Sequence, residues 1–256
     1  MQDLKGVVVD KQFITEEIFK LKVYLSEKIL AFIDPGSFAM LKVEAKGVYL
    51  RRPFSFADLD IKTGMVTFYV KVVGRGTKAL GEINPGQEIS MLLPLGRGFT
   101  RRPGKSLLIA GGIGVAPLNF LAKRIIEDGG KVSFLYGVRN ARQFIAEIYS
   151  KFKKEMEVYC EEPGLGNRGS VRDGLLTKEI MAYDQIYLCG PMGMLKAVKP
   201  ILKDFPGLIE VSLESYMACG FGACLGCAVQ LKNKDGIIYK KVCQDGPVFN
   251  FKDVVL

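Results

Sequence analysis

The sequence ESYMACGFGACLGCAVQ, residues 214–230, holds three of the six cysteines in a chain of 256 residues. Cys219, Cys224 and Cys227 lie among glycines and other small residues, and Cys243 follows in KKVCQDGPVF. The spacing is therefore C-x4-C-x2-C-x15-C. Clustered cysteines in a chain that we expect to be cytoplasmic indicate metal binding or redox chemistry rather than disulfides.

The first three cysteines have the spacing with which plant-type ferredoxins hold a [2Fe–2S] cluster. Such a cluster needs four thiolates that converge from a loop wrapped closely around it. Gly220, Gly222 and Gly226 would let the backbone turn tightly and direct N–H groups at the sulfurs. A structural zinc site is the alternative, although such sites commonly present two C-x2-C pairs. The predicted metal ligands, with the iron–sulfur cluster favoured, are Cys219, Cys224, Cys227 and Cys243.

The composition excludes several kinds of chemistry. There is no histidine, which excludes imidazole acid–base catalysis, histidine-containing zinc sites and Rieske-type ligation. The formal charge of +9 would suit an anionic partner, but bound anionic cofactors would offset part of it. The sequence contains no basic patch interleaved with aromatic residues, so it gives no indication of nucleic-acid binding. The N-terminal MQDLKG lacks an apolar signal-peptide region, and the longest uncharged run, 106–122, is short for a membrane span.

The hydrophobic pattern divides the chain into three segments. Up to about residue 98, strands such as FKLKVYL and MVTFYVKVV alternate with glycine-containing turns, which predicts a closed antiparallel barrel. From about residue 102, strands alternate with helices such as NARQFIAEIYSKF and MGMLKAVKPILKDF, which is typical of a parallel sheet. A hairpin turned at 234–236 is predicted near the C-terminus. The predicted domains are 1–98, 102–208 and 210–256.

Two motifs in the first segment could bind a dinucleotide. RRPFSFAD contains residues 52–55, Arg-Pro-Phe-Ser, which is a weak signal alone because an edge strand that begins at proline looks similar. FYVKVVGRGTKAL places Gly74, Gly76 and Thr77 at the start of a predicted helix, which Thr77 would cap. Free N–H groups and the helix dipole favour a phosphate at such a start.

Two turns in the second segment suggest a nicotinamide site. AGGIGVAPL, residues 110–118, follows a strand and begins a helix, and its three glycines would let the backbone approach a dinucleotide diphosphate. This is not the G-x-G-x-x-G fingerprint, so a plain tight turn is the alternative. LCGPMGM, residues 188–194, forms the later turn. Of the two remaining cysteines, Cys189 lies in this turn, whereas Cys160 lies on a predicted strand and reads as a small buried hydrophobic residue.

Together these motifs resemble the ferredoxin–NADP reductase superfamily. Its Arg-x-Tyr/Phe-Ser/Thr pattern implies that Arg52 contacts the pyrophosphate of FAD, Phe54 lies beside the cofactor and Ser55 lies near flavin N5. Its Gly-rich turn and its Cys-Gly-Pro turn, which faces the nicotinamide, are similar to the two turns here. The FAD-binding residues so implied are Arg52, Pro53, Phe54, Ser55, Tyr69, Val70, Lys71, Gly76 and Thr77. The NAD-binding residues so implied are Gly111, Gly112, Gly114, Cys189, Gly190 and Pro191.

The order of the segments is similar to that of the electron-transfer subunits of NAD-dependent dihydroorotate dehydrogenases. The resemblance covers essentially the whole chain and is most specific over residues 215–249. Related subunits of bacterial transhydrogenases carry aspartate where Cys219 stands, so this residue favours the dihydroorotate system. The implied fold is multi-domain, with an antiparallel β-barrel flavin domain, an α/β parallel-sheet nicotinamide domain and a small C-terminal [2Fe–2S] domain.

This resemblance implies an oxidoreductase subunit with no catalytic acid or base of its own. Hydride would pass between NAD and FAD, and single electrons between FAD, the cluster and the FMN of a partner that oxidises dihydroorotate in pyrimidine biosynthesis. A heterotetramer with two copies of each chain is expected, without nucleic acid or membrane. The alternatives are an NAD(P)H reductase subunit for a sulfite reductase or a ferredoxin-linked transhydrogenase, and a zinc-stapled binding module. NADH is expected, although Arg139 and Arg142 could hold the 2′-phosphate of NADPH, or could simply be solvated.

Overall fold

The computed structural model describes residues 1–26 and 28–256. Its first sheet is antiparallel throughout, in the order β4-β3-β7-β1-β2-β6-β5. The strands are β1 (Gln2–Phe13), β2 (Ile18–Tyr24), β3 (Phe38–Leu41), β4 (Arg52–Ser55), β5 (Asp58–Asp60), β6 (Met65–Lys71) and β7 (Glu88–Leu95). A short helix, α1 (Arg75–Leu80), connects β6 to β7.

The first sheet curls because its two edge strands are almost consecutive in the chain. β4 and β5 lie at opposite edges, yet only Phe56 and Ala57 separate them. The Phe56 N–H donates to the carbonyl oxygen of Ser37 at 3.3 Å, and the Ala57 N–H donates to that of Thr67 in β6 at 2.9 Å. In the described part of the chain the strand pairing does not continue from β4 to β5. The predicted closed barrel is therefore found as a curled sheet whose edges are joined through this link.

A second sheet contains seven strands in the order β11-β10-β9-β8-β12-β13-β16. Two further strands, β14 and β15, pair only with each other. The helices and strands of this part of the chain are β8 (Lys105–Gly111), α2 (Val115–Glu127), β9 (Lys131–Val138), α3 (Ala146–Lys151), β10 (Met156–Cys160), β11 (Asn167–Arg168), α4 (Val171–Leu176), β12 (Gln185–Cys189), α5 (Met192–Val198), β13 (Leu208–Ser212), β14 (Ala228–Asn233), β15 (Gly236–Lys241) and β16 (Val248–Asn250). All pairs of the second sheet are parallel except β13 with β16. The strand order therefore reverses between β8 and β12, and the crevice at their carboxyl ends is where such sheets bind ligands.

Two helices of the second sheet are shorter than the sequence predicts. In NARQFIAEIYSKF, the Asn140 side chain accepts the Arg142 N–H at 3.2 Å and holds a 3-10 turn, so α3 begins only at Ala146. In MGMLKAVKPILKDF, α5 ends at Val198, since Pro200 two residues further on has no N–H to continue the helical hydrogen bonds. None of the helices in the described ranges combines the length and apolar composition that crossing a bilayer requires.

The C-terminal segment is joined to both sheets. The predicted hairpin is confirmed: β14 pairs with β15, and Asn233 faces Gly236 across the turn. β16 returns to pair with β13, where Glu210 faces Asn250. Just before β16, the carbonyl oxygen of Gly246 accepts the N–H of Arg97, which follows β7. The predicted boundaries at 98–102 and 208–210 remain predictions, and the segment beyond 210 completes the second sheet.

Helix α2 connects the second sheet to the curled sheet. The buried Asn119 side chain donates to the carbonyl oxygen of Ala57 at 2.6 Å, so it binds the link that joins the edges of the curled sheet. Four residues further along the helix, Lys123 forms an ion pair with Asp58 at 2.8 Å. These contacts hold the curled sheet in one orientation against α2.

We expect Asn119→Ala to lower the free energy of unfolding by about 1–3 kcal/mol, because it leaves the buried Ala57 carbonyl without a donor. Thermal or urea unfolding of the variant measures this change. The matched control is Asn84→Ala at an exposed position. Equal stability of the two variants would show that the Asn119 contact does not stabilise the interface.

Candidate functional site

Two backbone turns meet at the crevice between β8 and β12. A Cβ atom added to Gly114 would lie 2.3 Å from the carbonyl oxygen of Cys189, and one added to Gly111 would lie 2.7 Å from Cδ of Pro191. Gly112 has φ +53°, which glycine adopts without strain. The glycines of AGGIGVAPL are therefore required by close approach and by backbone conformation. The three glycines expose backbone to the crevice beside Ile113, and a diphosphate-binding turn requires such exposed backbone.

One cleft of about 920 Å³ lies between the curled sheet and the second sheet. It brings most of the predicted flavin and nicotinamide residues together, and its volume suits a ligand site. The predicted residues that line it are Arg52, Pro53, Phe54, Ser55, Tyr69, Lys71, Thr77, Gly111, Gly112, Gly114, Cys189 and Pro191. Three others lie behind the wall: Val70 is buried in the curled sheet, Gly76 packs against Arg52, and Gly190 packs against Gly111.

A cationic corner at one end of the cleft fits a diphosphate. The Arg52 guanidinium covers the first turn of α1, where a Cβ on Gly76 would lie 2.8 Å from Nε. Its Nη1 donates to the carbonyl oxygen of Leu50 at 2.6 Å. Among the residues of 1–26 and 28–256, none places a carboxylate within ion-pair distance of this guanidinium. An uncompensated cation beside the start of α1 can bind an anionic group of FAD.

Thr77 lies at a different position of its helix from the one predicted. The helix begins after Gly74, so Thr77 is its third residue and not the residue before it. Its hydroxyl accepts the N–H groups of Val73 and Gly74 at 2.9 and 3.1 Å. The predicted cap is therefore found, but Thr77 caps the helix start from the third helical position and not from the position before the helix. Thr77 also fixes the glycine turn that leads into the cleft.

Tyr69 joins the two sheets in the middle of the cleft. Its hydroxyl donates to Glu147 of α3 at 2.5 Å, and Lys20 of β2 forms an ion pair with the same carboxylate at 2.7 Å. Burial and the Glu147 carboxylate raise the pKa of Tyr69 well above its ordinary value. Although burial opposes it, the hydrogen bonds from Lys20 and Tyr69 lower the pKa of Glu147. Tyr69 is thus a protonated, fixed wall of the cleft and not an acid or base.

The opposite wall contains residues that the sequence reasoning missed. Cys189 and Ser212 are paired residues at the ends of β12 and β13, so the chain after Ser212 enters the same crevice. Glu214 and Tyr216 of the ESYM sequence line the cleft there, and Tyr216 is 97% exposed within it. These residues could have been identified from the parallel pairing of β12 with β13, because this pairing brings the residues after both strands to the same edge of the sheet.

Cys189 is unsuited to act as a nucleophile. Burial raises the pKa of its thiol far above the ordinary value, and the nearby Glu214 carboxylate raises it further. Enclosure in the cleft also raises the pKa of Glu214. Cys189 therefore presents a neutral thiol at the end of β12, which suits contact with an uncharged or transiently charged ring rather than covalent chemistry.

The four cysteines of the C-terminal segment form two sulfur pairs. The buried Sγ atoms of Cys227 and Cys243 are 3.2 Å apart, and the Cys243 N–H donates to Cys227 Sγ at 3.4 Å. Cys219 and Cys224 form the second pair, since the Cys224 side chain lies close enough to help lower the pKa of the Cys219 thiol. Within the described ranges, no three ligating side chains converge on a point that could hold a single ion. Two thiolate pairs are the donor set that two irons of a [2Fe–2S] cluster would use, whereas structural zinc needs four sulfurs around one point.

Backbone N–H groups point at these sulfurs as predicted. Although partial burial opposes it, donation from the N–H groups of Cys224, Phe221 and Ala223 lowers the pKa of Cys219 to about 6. This tight loop depends on left-handed backbone at Gly220 (φ +79°), Gly222 (φ +93°) and, unexpectedly, Leu225 (φ +59°).

Gly226 does not adopt the left-handed backbone. It lies close to Cys224, where a Cβ atom added to Gly226 would be 3.6 Å from Cys224 Sγ. Two of the three predicted glycines therefore supply left-handed backbone to the loop. The third left-handed residue is Leu225, whose backbone is strained in this conformation.

The two arginines considered for NADPH are separated by the structure. Arg139 lines the cleft, whereas Arg142 forms an ion pair with Glu17 of the segment between β1 and β2 at 3.6 Å. Lys71 also pairs with Glu17, at 3.5 Å. Arg142 therefore helps to attach the second sheet to the curled sheet. Of the two arginines only Arg139 lines the cleft, where it forms an ion pair with Glu161 at 3.8 Å.

This fold and this cleft define a flavin- and nicotinamide-dependent reductase with an iron–sulfur segment at its C-terminus. The sequence profile described as the iron-sulfur cluster binding domain of dihydroorotate dehydrogenase B matches residues 214–255. Profiles of the oxidoreductase NAD-binding domain and of the oxidoreductase FAD-binding domain match residues 108–200 and 5–99. FAD, NAD and an iron–sulfur cluster, predicted from the motifs, are thereby confirmed as the cofactors of these domains.

Full-length relatives identify the family. An Aquifex aeolicus protein named dihydroorotate dehydrogenase B (NAD+), electron transfer subunit homolog is 36% identical, with 100% of each chain covered. A Shouchella clausii protein named as the electron transfer subunit of that enzyme is 34% identical over 97% of this chain and 96% of its own. The chain belongs to the family of dihydroorotate dehydrogenase B electron transfer subunits.

Solved structures show the same architecture. A chain from the structure of an NADH-dependent reduced ferredoxin–NADP oxidoreductase matches with a TM-score of 0.83 and 27% identity, over 98% of this chain and 89% of its own. Phthalate dioxygenase reductase matches with a TM-score of 0.67 and 15% identity, over 93% and 76% of the two chains, which shows the fold alone. The predicted three-part fold class is confirmed.

We expect Arg52→Ala to weaken FAD binding by about 1.5–3 kcal/mol, the range for a hydrogen bond to a charged group. Flavin release, followed by fluorescence during dilution, measures it. The control is Arg51→Ala, since Arg51 binds Asp3 and does not line the cleft. Equal loss in both variants, or unchanged FAD retention in Arg52→Ala, would refute the contact.

We expect Cys224→Ser to remove the cluster and to spare FAD, because the sulfur pairs lie outside the cleft. Iron and sulfide content and the visible spectrum of protein purified without oxygen measure this result. Cys160→Ser is the matched control, because Cys160 is buried at the end of β10. Normal iron content in Cys224→Ser would remove this residue from the ligand set.

Proposed function

We propose that this chain is the electron transfer subunit of an NAD-dependent dihydroorotate dehydrogenase, acting between NAD and an FMN-containing catalytic subunit in pyrimidine biosynthesis. The proposal rests mainly on one observation: the predicted flavin and nicotinamide residues line the same cleft. The two sulfur pairs lie on the neighbouring C-terminal segment. The full-length relatives named for this role support it.

The residues of this chain would bind and orient the reacting groups. FAD, when bound, would exchange hydride with the nicotinamide and single electrons with the [2Fe–2S] cluster. Arg52 would hold the diphosphate of the flavin, and the turn at Gly111–Gly114 that of the nicotinamide. Ser55 and the neutral thiol of Cys189 would bound the two rings. Hydride transfer between them needs no protein acid or base, which agrees with a chain that has no histidine.

The surface beside the sulfur pairs supports docking of a catalytic partner. Phe221 and Leu225, on the loop that carries the cysteines, are 47% and 64% exposed. Exposed apolar side chains grouped at one site are typical of interaction surfaces. The strained backbone at Leu225 holds this side chain outward, at a cost that a contact in the assembly would explain. The FMN subunit as partner, a heterotetramer with two copies of each chain, and a cytoplasmic location belong to this proposal.

We expect NAD-linked oxidation of dihydroorotate to require both this chain and the FMN subunit. The two proteins are expressed together, purified through a tag on one of them, and assayed for NADH formation from dihydroorotate and NAD+. The control is the same complex with Cys224→Ser, which should keep NADH oxidation by a dye and lose dihydroorotate-linked NADH formation. If the FMN subunit neither co-purifies nor gains NAD-linked activity, the proposal fails.

A second candidate is an NADH-dependent reductase subunit of a ferredoxin–NADP transhydrogenase. The 27% identity over 98% of this chain with a chain of such an enzyme favours it. In this case, the wild-type chain should bind a nicotinamide-binding partner and couple NADH oxidation to NADP+ reduction with reduced ferredoxin. Co-purification with the FMN subunit would decide against this candidate.

A further inference from the structure

A second cavity, of about 510 Å³, lies apart from the cleft and shares none of its lining residues. Lys196 of α5, Ile209 of β13 and Phe251, which directly follows β16, contribute to its wall. The cleft uses other parts of two of these elements, since Gly193 near the start of α5 and Ser212 at the end of β13 line it. The volume of the second cavity lies within the range of sites that bind small molecules.

The inner wall of the second cavity is apolar. Leu202, Ile209 and Phe251 line it, and each of these side chains belongs to the buried core of the protein. An organic molecule could place an apolar group against this wall without leaving a polar group of the protein unpaired. The wall therefore favours a molecule with an apolar body over a bare inorganic ion.

Four lysines surround this wall. Lys196, Lys199, Lys203 and Lys252 all line the cavity. Within residues 1–26 and 28–256, none of the four forms an ion pair with a carboxylate. The cavity thus has a positive charge that direct pairing does not compensate, and this charge favours an anionic occupant.

Backbone carbonyls hold two of these ammonium groups in place. Lys199 Nζ donates to the carbonyl oxygens of Phe251, at 2.9 Å, and of Val254. Lys252 Nζ donates to the carbonyl oxygen of Phe205 at 2.6 Å. An ammonium group has three N–H donors, so Lys199 keeps one and Lys252 keeps two for a further acceptor. Because the carbonyls are neutral, they orient these cations without neutralising them.

Lys199 is the most enclosed of the four lysines, since the other three are exposed. Its Nζ atom lies 5.1 Å from the centroid of the Phe251 ring, so the cation and the apolar wall adjoin. Burial lowers the pKa of the Lys199 ammonium group, although the nearby Asp253 carboxylate acts in the opposite direction. An anion in contact with Nζ would replace part of the hydration that this ammonium group has lost.

We propose that this cavity binds a small organic anion, a carboxylate with an apolar body. The carboxylate accepts a hydrogen bond from the fixed ammonium group of Lys199, and the apolar body lies against Leu202, Ile209 and Phe251. The remaining lysines add positive charge at the rim. The site is separate from the proposed function, because no residue of the flavin and nicotinamide cleft takes part in it.

The test uses naphthalene-2-carboxylate as the probe and naphthalene-2-carboxamide as its uncharged counterpart. The full chain, loaded with FAD and its iron–sulfur cluster, is titrated with each probe by calorimetry, with and without saturating NAD+. We expect the carboxylate to bind at one site about tenfold more tightly than the carboxamide, the scale of a hydrogen bond to a charged group. Saturating NAD+ should leave this binding unchanged. Equal binding of the two probes, or loss of carboxylate binding in NAD+, would overturn the proposal.

Two variants locate the binding in the cavity. Lys199→Gln should weaken carboxylate binding about tenfold. Because Lys199 also holds backbone carbonyls, the exposed Lys196 provides a second variant, and Lys196→Gln should weaken binding about threefold, the scale of an exposed charge. The control is Lys153→Gln, since Lys153 is exposed and lines neither cavity.

The control variant should bind the carboxylate as the wild-type chain does. Unchanged binding in both Lys199→Gln and Lys196→Gln, or an equal loss in Lys153→Gln, would contradict the assignment. If Lys199→Gln does not fold, as judged by circular dichroism, unchanged binding in Lys196→Gln alone is enough to reject it.

Discussion

The backbone of Gly114 lies against the carbonyl group of Cys189, where even a methyl group would come within 2.3 Å of the oxygen. This contact joins the turns after β8 and β12 at the point where the strand order of the second sheet reverses. A side chain at Gly111 or Gly114 would clash with the turn after β12. Glycine at these two positions therefore lets the two turns approach each other and leaves backbone exposed to a ligand, and the remaining walls of the cleft are arranged around this opening.

The other walls come from parts of the chain that are distant in sequence. The curled sheet supplies Tyr69, which is fixed from the far side by Glu147 of α3. The C-terminal segment supplies Pro247, which follows the Gly246 carbonyl that binds Arg97. Because each wall is held by a neighbouring segment, the three segments form one site and do not act as separate modules joined by linkers.

The sequence predicted those features that depend on local chemistry. The glycine turn, the hairpin at 234–236 and the four cysteines each carry their signal within a few residues, because turn conformation and ligand spacing are local properties. The features it missed depend on distant contacts. Arg142 is directed to Glu17 by the packing of two sheets, and Tyr216 reaches the cleft because β13 pairs with β12. Leu225 adopts a left-handed backbone that no preference of leucine would indicate.

One strand connects the flavin cleft with the sulfur pairs. Phe38 of β3 lines the cleft, and its partner on β4 is Ser55. Met40, two residues further, contacts the cysteine loop so closely that a Cβ on Gly220 would lie 2.7 Å from its Cγ. Alternate residues of a strand share one face of the sheet and are about 7 Å apart. Phe38 in the cleft wall and Met40 at the cysteine loop are therefore neighbours on the same face of β3. Because Gly220 leaves no room between loop and strand, the loop is held at a fixed short separation from the flavin wall, as electron exchange requires.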